Sequence, residues 1–368
     1  MDFSFTPEQD EAAELAARIL ADRATTTRMR EVEQGGDRFD RALWSDLAEA
    51  GLLSLAIPEA HGGAGLGLIE LCRVLVEVGR RVAPVPLASH GPAALALAEF
   101  GEQAVQAEWL PGAASGERVL APALSEPLDP LPSVPSTTLT VEGDELVLDG
   151  TKTLVRAGTS ADLFLVTAST PSGAAVVLVR PDDAGVTVEA QHTSDGDATA
   201  LVTLAGVRVP ADRLLGRTDG VAATRLGHLV TVAACAEVNG IVAGAVRLTA
   251  DYAKTREQFG RPIGTFQAVA QRLADGYIDS LFQELTLWQA VWRLAEGLPV
   301  ETELPTAKLW AADAAHKVAH TTVHVHGGVG IDLDGEAHRY FTAAKRFEFV
   351  FGGTTGQALA IGKALAAR

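Results

Sequence analysis

Arg256 opens the segment Arg256–Gln267, which reads REQFGRPIGTFQ. The planar guanidinium fork of an arginine can grip a pyrophosphate through paired hydrogen bonds. Further along, His324–Gly330 reads HVHGGVG. Gly327 and Gly328 have no Cβ, so their backbone N–H groups can approach a phosphate or ribose closely. Two acids, Glu237 and Glu348, lie in the same half of the chain and are weighed below as proton acceptors. His320, His324 and His326 raise a metal reading, because His320 and His324 are four residues apart on a predicted helix. No carboxylate stands at a supporting spacing, so core or cofactor histidines are expected and no metal site is assigned. Gly62, Gly63 and Gly65 resemble a phosphate loop in composition only. No strand precedes them, and a helix–helix connection is the expected role. Cys72 and Cys235, the only cysteines, build neither a disulfide framework nor a metal site.

The elements that must position these residues follow an α–β–α order. Thr6-Pro7-Glu8-Gln9 is a helix start, with Thr6 as N-cap and Gln9 closing a capping box. Helical spacing recurs at Ala42–Ala50 and Leu68–Val78. Near Pro111 the pattern changes to short β-rich runs between about Val119 and Leu215. Leu139–Val141 and Leu146–Leu148 flank Glu142-Gly143-Asp144-Glu145 as a hairpin. Leu163–Thr167, Ala175–Val179, Val186–Glu189 and Ala200–Val209 continue the series, as in a small barrel or sandwich. After Gly220 the chain returns to helix. Ala222–Lys254 is long and rich in small residues, among them Gly240 and Gly244, which allow close helix approach. Phe266–Glu296, Leu304–His326 and Gly356–Ala367 complete the helices. The expected fold class is α+β: an N-terminal helical domain (1–118), a middle β-barrel or sandwich domain (119–218) and a C-terminal four-helix bundle (219–368).

Composition narrows the function classes. The 368 residues carry 30 Lys and Arg against 47 Asp and Glu, a net charge of −17. No basic face is available to displace counterions from nucleic acid or to anchor on an anionic membrane. The uncharged runs Val82–Ala98 and Leu163–Val179 are broken by Pro and Gly and do not suit a membrane helix. The acidic N-terminus lacks the blocks of a signal peptide. A cytoplasmic location is expected.

Three motifs taken in order, REQFGRPIGTFQ, HVHGGVG and Phe351–Thr355 (FGGTT), join TPEQ and Trp109–Val119 (WLPGAASGERV). With the α–β–α order, they make the chain resemble the acyl-CoA dehydrogenase family over its whole length. The resemblance implies an FAD-dependent α,β-dehydrogenation of an acyl-CoA thioester, in which a glutamate takes the α-proton. It also implies cofactor contacts at Arg256, Gln258, Phe259, Phe266, Gln267, His324, Gly327 and Gly328, reaching across a subunit interface to the FAD of a neighbour. His324 stands where the family usually has Gln, and it can still donate a hydrogen bond.

Elsewhere the family pattern is lost. The glutamate that precedes a Gly-Thr near the C-terminus is replaced by Gly352. The alternative glutamate of other branches, 26 residues before the arginine, falls on Val230. Neither residue can accept a proton. The family's flavin-ring motifs align with Ser125-Glu126-Pro127-Leu128-Asp129-Pro130-Leu131-Pro132 and with Lys152-Thr153-Leu154-Val155-Arg156-Ala157. There the usual Trp is Leu154 and the usual Thr is Arg156, a cation expected to disturb the flavin-ring pocket. The chain thus resembles the base-less subunit of actinobacterial heterotetrameric acyl-CoA dehydrogenases of the steroid side-chain type. That resemblance implies no catalytic residue of its own and inactivity alone. It also implies a shared FAD, a second dehydrogenase-like subunit carrying the glutamate, and an acceptor such as an electron-transfer flavoprotein. Two alternatives remain open at this level. One is a self-sufficient homomer with its base relocated to Glu237 or Glu348. The other is a cofactor-free scaffold.

Overall fold

The structure is a computed structural model that describes residues 4–367. The chain begins with helices α1 Pro7–Arg23, α2 Thr26–Gln34, α3 Arg41–Glu49, α4 Leu68–Arg80, α5 Leu87–Phe100 and α6 Gln103–Ala114. Strands follow: β1 Leu120–Ala123, β2 Thr138–Glu142, β3 Glu145–Arg156, β4 Leu163–Thr170, β5 Gly173–Val179, β6 Val186–Gln191, β7 Thr199–Pro210 and β8 Leu214–Leu215. Helix α7 Val221–Thr255 leads into a two-stranded hairpin, β9 Glu257–Gln258 and β10 Arg261–Pro262. Helices α8 Gln267–Ala295, α9 Glu303–His326, α10 Ala337–Phe349 and α11 Thr354–Ala366 complete the described chain. The expected α–β–α order is therefore observed.

The chain divides into two compact units that do not follow chain order. One gathers residues 35–71 and 84–233, and holds the sheet. The other gathers residues 1–34, 72–83 and 234–368.

In the sheet-bearing unit the strand order is β6-β7-β3-β2-β4-β5-β8, with β1 also pairing β4. Most pairs are antiparallel, but β1 and β2 run parallel to β4. Only the pair Thr138–Ser169 joins β2 to β4, so the sheet is two halves linked by one bridge. Leu146, Leu148, Val202 and Leu204 from one half share a buried core with Phe164, Val166, Val177 and Val179 from the other. That arrangement is sandwich-like. The β2–β3 hairpin pairs Glu142 with Glu145, as its turn residues imply. Gly62, Gly63 and Gly65 form a local turn. Their N–H groups are spent on Glu59 O, Pro58 O and Ile57 O, which leaves none for a phosphate.

In the helical unit, α9 packs against α8, α10 and α11. Its buried face is largely alanine, including Ala307, Ala311, Ala315 and Ala319, so neighbouring helices pack close. The small residues of α7 serve a tighter contact, against the 72–83 end of α4. A Cβ on Gly79 would lie 1.8 Å from Glu237 O, and one on Gly240 would lie 1.9 Å from Val76 O. Backbone therefore meets backbone there, as in small-residue helix crossings generally.

Some elements differ from the sequence expectation. Helix α6 continues through Pro111, where the pattern changes, and ends at Ala114 within the helical region expected to 118. The run Val82–Ala98 holds most of α5, which carries Pro92 within it and is buried along most of its length. Helix α10 was not expected. Its buried face includes Arg339, which breaks the apolar period, and that guanidinium is neutralised by both oxygens of Glu33 on α2 at 2.8 and 2.9 Å. Helix α7 is long and apolar enough by composition to cross a membrane, but its most apolar stretch is largely buried inside the protein.

Candidate functional site

The motif residues converge at the C-terminal ends of α7 and α9, within the helical unit. Arg256 continues the last turn of α7, its N–H bonded to Tyr252 O at 2.9 Å. The chain then turns back through Phe259 and Gly260, both at positive φ (+53° and +75°). Successive positive φ angles are those of a two-residue hairpin turn, and Gln258 duly pairs with Arg261. Ile263 N closes the hairpin on Arg256 O at 2.8 Å. Phe266 anchors it, with its ring edge-on to Phe259 at 6.2 Å and under the Arg261 guanidinium at 4.5 Å. Gln267 is the first residue of α8, whose N-terminus no side chain caps.

Beside this hairpin, α9 ends at His326. Its ring stacks on Tyr252 at 4.3 Å between centroids and 22° between planes. A carbonyl can only accept, so the 2.8 Å contact between His326 Nδ1 and Thr322 O fixes the proton on Nδ1. Burial lowers the affinity of this ring for a second proton, and the Thr322 bond partly offsets that. One turn earlier, Thr249 Oγ1 donates to Thr322 Oγ1 at 3.0 Å. Gly327 follows at φ +66° and ψ −141°, a backbone conformation that only glycine adopts readily. No atom lies within 4 Å of a Cβ built on Gly327 or Gly328. The glycine pair is thus an open cradle.

The polar side chains around it are free. Arg256, Gln258, Gln267 and His324 are exposed, and none has a hydrogen-bond or ion-pair partner among the described residues. Arg247, on the preceding turns of α7, is by contrast held by Asp251 at 2.8 Å. Arg256, Gln258, Gln267 and His324 are thus unpaired polar side chains on elements that the Tyr252–His326 stack brings side by side with the glycine pair. The three histidines weighed for a metal sit in different surroundings: His320 against His316 and Phe341, His324 in solvent, His326 on Tyr252.

The positions examined for a base are different in character. Gly352 sits at φ +96°, directly after Phe351 at φ +56°. Gln357 Nε2 donates to Phe351 O at 2.9 Å and would lie 2.9 Å from a Cβ at Gly352. Lys308 steadies the preceding turn by donating to Phe347 O at 3.1 Å. Val230 is buried in α7. Glu237 is also buried, and its own backbone carbonyl faces Gly79. Glu348 is bound by His316 at 3.1 Å and by Lys345. Burial alone would raise its carboxyl, but the hydrogen bonds from Lys345 and His316 hold it below the usual carboxylate range.

In the sheet-bearing unit, the loop beginning at Ser125 and the end of β3 are tied by an ion pair. Lys152 Nζ meets Glu126 Oε1 at 2.7 Å, with both side chains almost wholly buried. Ser136 and Thr137 complete the carboxylate shell, so Glu126 stays ionised well below its ordinary range despite burial. Leu154 lies on a β3 bulge at φ +52°, half exposed, with its N–H held by Gln191 Oε1 at 2.7 Å. Arg156 is not a loose cation, because its guanidinium is largely buried against Asp197 at 2.7 Å. Sequence reasoning misses Tyr252, Gln191 and Asp197, and reads His326 only as a core or cofactor histidine. His326 lies within the HVHGGVG motif, and Tyr252 stands four residues before Arg256.

Residues 6–117 match the family model described as the acyl-CoA dehydrogenase N-terminal domain, and residues 221–366 match that of the C-terminal domain. The chain belongs to the acyl-CoA dehydrogenase family. It is 46% identical to the acyl-CoA dehydrogenase FadE27 of Mycobacterium tuberculosis, over 100% of this chain and 99% of that protein. It is 37% identical to FadE28 of the same organism, over 96% of each. Among solved structures, it matches the ChsE4-ChsE5 complex of M. tuberculosis with a TM-score of 0.95 and 45% identity, covering 100% of both chains. It matches a variant of the Tcur3481-Tcur3483 steroid ACAD with a TM-score of 0.93 and 41% identity, covering 98% of each. The expected family and fold are thereby established, and two of these structural relatives are heteromeric complexes.

Proposed function

We propose that this chain is the base-less, FAD-sharing subunit of a heteromeric acyl-CoA dehydrogenase acting on a bulky, steroid-like acyl-CoA thioester. One juxtaposition carries the reading. The phosphate-side residues are free and open, while Gly352 and Val230 supply no proton acceptor. The cradle fits a dinucleotide phosphate: a free guanidinium fork, a glycine pair without Cβ atoms and an uncapped helix start. In this reading Arg256 grips the pyrophosphate of an FAD whose ring lies in the partner subunit. Gln258, Gln267 and His324 offer further hydrogen bonds; Gly328 approaches with its backbone N–H, and Gly327, whose own N–H is held by Val323 O, leaves room by lacking a Cβ. Phe259 and Phe266 shape the hairpin that holds Arg256. The FAD would accept the β-hydrogen as hydride, while the partner's glutamate removes the α-proton.

The buried Glu237 and the ion-paired Glu348 support this reading over a relocated base, since a proton acceptor must reach its substrate unpaired. The free donors likewise speak against a scaffold role, which needs no anion cradle. The resemblance of two solved heteromeric complexes supports a two-subunit assembly. Division of the chain at 118 and 218, a cytoplasmic location and an electron-transfer flavoprotein as acceptor belong to the same proposal.

The test is co-expression with the neighbouring dehydrogenase-like partner, followed by flavin absorbance per complex. One FAD per pair of unlike chains is expected, and no turnover of any acyl-CoA by this chain alone. Arg256→Ala should weaken FAD by about ten- to a hundredfold, since a charged hydrogen bond to phosphate contributes about 1.5–3 kcal/mol. Arg256→Lys should recover part of this, and Arg247→Ala should leave flavin content unchanged. Full flavin occupancy in Arg256→Ala, or turnover by the isolated chain, refutes the assignment.

A further inference from the structure

Between the arginine and the glycine pair runs an unbroken chain of contacts. Arg256 N bonds to Tyr252 O at 2.9 Å. The Tyr252 ring stacks on the His326 ring at 4.3 Å. His326 directly precedes Gly327, whose N–H bonds back to Val323 O. His326 is itself held by Thr322 O at 2.8 Å, and Thr322 is bonded to Thr249 of α7 at 3.0 Å. Neither Tyr252 nor His326 is fully exposed, so neither is placed like the free donors around them.

We infer that the Tyr252–His326 stack is a lock that sets the spacing between the Arg256 guanidinium and the Gly327–Gly328 cradle. Both are positioning residues, which act on an anionic ligand only through their neighbours. The physical reason lies in the two helix ends. The last turn of a helix frays, because its final carbonyls lack partners and its side chains meet few neighbours. Arg256 and Gly327 each stand just beyond such an end. Were α7 and α9 free to fray independently, the guanidinium and the glycine pair would meet a phosphate in many relative geometries, and binding would carry an ordering cost. Two stacked rings, one fixed by a hydrogen bond to its own helix, remove that freedom before the ligand arrives. The stack requires flat rings and does not require the tyrosine hydroxyl or a charged imidazole.

This inference rests on the proposed phosphate-side role of Arg256, and the experiment separates the two. In the two-subunit complex, Tyr252→Ala, His326→Ala, Tyr252→Phe and His326→Phe are compared with wild type and with Arg256→Ala. FAD is titrated into the flavin-stripped complex, and kcat is read at saturating FAD. The alanine variants should raise the FAD Kd about tenfold, the scale of one lost aromatic pair and its ordering. The phenylalanine variants should stay within about twofold of wild type because the stack is retained. At saturating FAD, kcat should be unchanged in all four, since the lock governs affinity and not chemistry. Should an alanine variant fail to assemble, Tyr252→Leu and His326→Leu keep the bulk without the stack and carry the same expectation. If Arg256→Ala loses FAD while the alanine or leucine variants bind as wild type, the lock is wrong and the cradle stands. If the phenylalanine variants lose FAD as severely as the alanine ones, stacking is not the cause and the lock is again overturned. If Arg256→Ala itself binds FAD as wild type, the underlying reading fails.

Discussion

His90 shows how one side chain can couple the fold to pH. It is wholly buried, with Nε2 donating to Ala113 O at 3.1 Å and Nδ1 accepting from Leu120 N at 3.2 Å. A second proton would fall on Nδ1, against the Leu120 N–H. Burial accordingly lowers its pKa to about 4. A group depressed from 6.5 adds stability that is fully present above pH 6.5 and is lost as pH falls towards 4. The loss is of order 3 kcal/mol. Urea midpoints at pH 7.5 and 4.5 should show a larger acid loss for wild type than for His90→Gln, and equal losses would remove His90 as the cause. Gly352 poses the opposite case, a residue whose replacement strains the backbone. At φ +96°, with Gln357 Nε2 2.9 Å from a prospective Cβ, Gly352→Glu should destabilise by about 1–3 kcal/mol. It should bring no turnover, as a thermal melt and a dye-reduction assay of the variant chain will show. At this scale the site was partly legible. Arg256 and Gly327 announce themselves because their chemistry depends on residue type alone. The pairing of Tyr252 with His326 does not, because a stack between residues far apart in sequence leaves no local pattern.

Helices and strands were legible where a local rule decides them. Thr6 Oγ1 accepts from Gln9 N and Gln9 Oε1 in turn accepts from Thr6 N, as the capping box implies. The β2–β3 hairpin and the long α7 follow from turn residues and unbroken helical composition. Helices α5, α6 and α10 were hidden for separate reasons. Internal prolines interrupt α5 and α6, and tertiary burial overrides that local cost. A buried but paired arginine disguises α10. The crossing of α4 on α7 yields a sharp prediction. Gly79→Ala and Gly240→Ala place a Cβ within 1.8–1.9 Å of backbone oxygen, so the helices must separate. Each should lower stability by 3 kcal/mol or more on the scale of severe overpacking, about the upper limit of such changes. Gly362→Ala on α11, where no atom lies within 4 Å of the new Cβ, should instead stabilise by up to about 1 kcal/mol. Thermal melts of the three variants provide the check, and a tolerated Gly79→Ala would refute the backbone contact.

For the whole molecule, the compact units are woven through the chain and not strung along it. The helical unit draws on residues 1–34, 72–83 and 234–368. A fragment of residues 219–368 contains every cofactor-side residue named above, yet it lacks α1, α2 and the 72–83 end of α4. It would expose Gly240 and the buried face of Arg339 that Glu33 neutralises. Such a fragment should be poorly ordered, with weak near-ultraviolet circular dichroism and no measurable FAD binding. A well-dispersed amide spectrum from the fragment would contradict this.

The weaving also bears on the order of events during synthesis. Residues 35–233 contain all of the sheet-bearing unit, so it can close once they have left the ribosome. Helix α1 cannot settle then. Phe5 lies edge-on to Trp288 at 4.8 Å, and Trp288 belongs to α8. At about 5–20 residues per second, α1 and α2 wait roughly 15 seconds to a minute for their partners to be made. Through that interval Phe5, Ala12, Ala16 and Leu20 present apolar surface to solvent or to a chaperone. Helices α1 and α2, made before the sheet, are thus among the last elements to find their place.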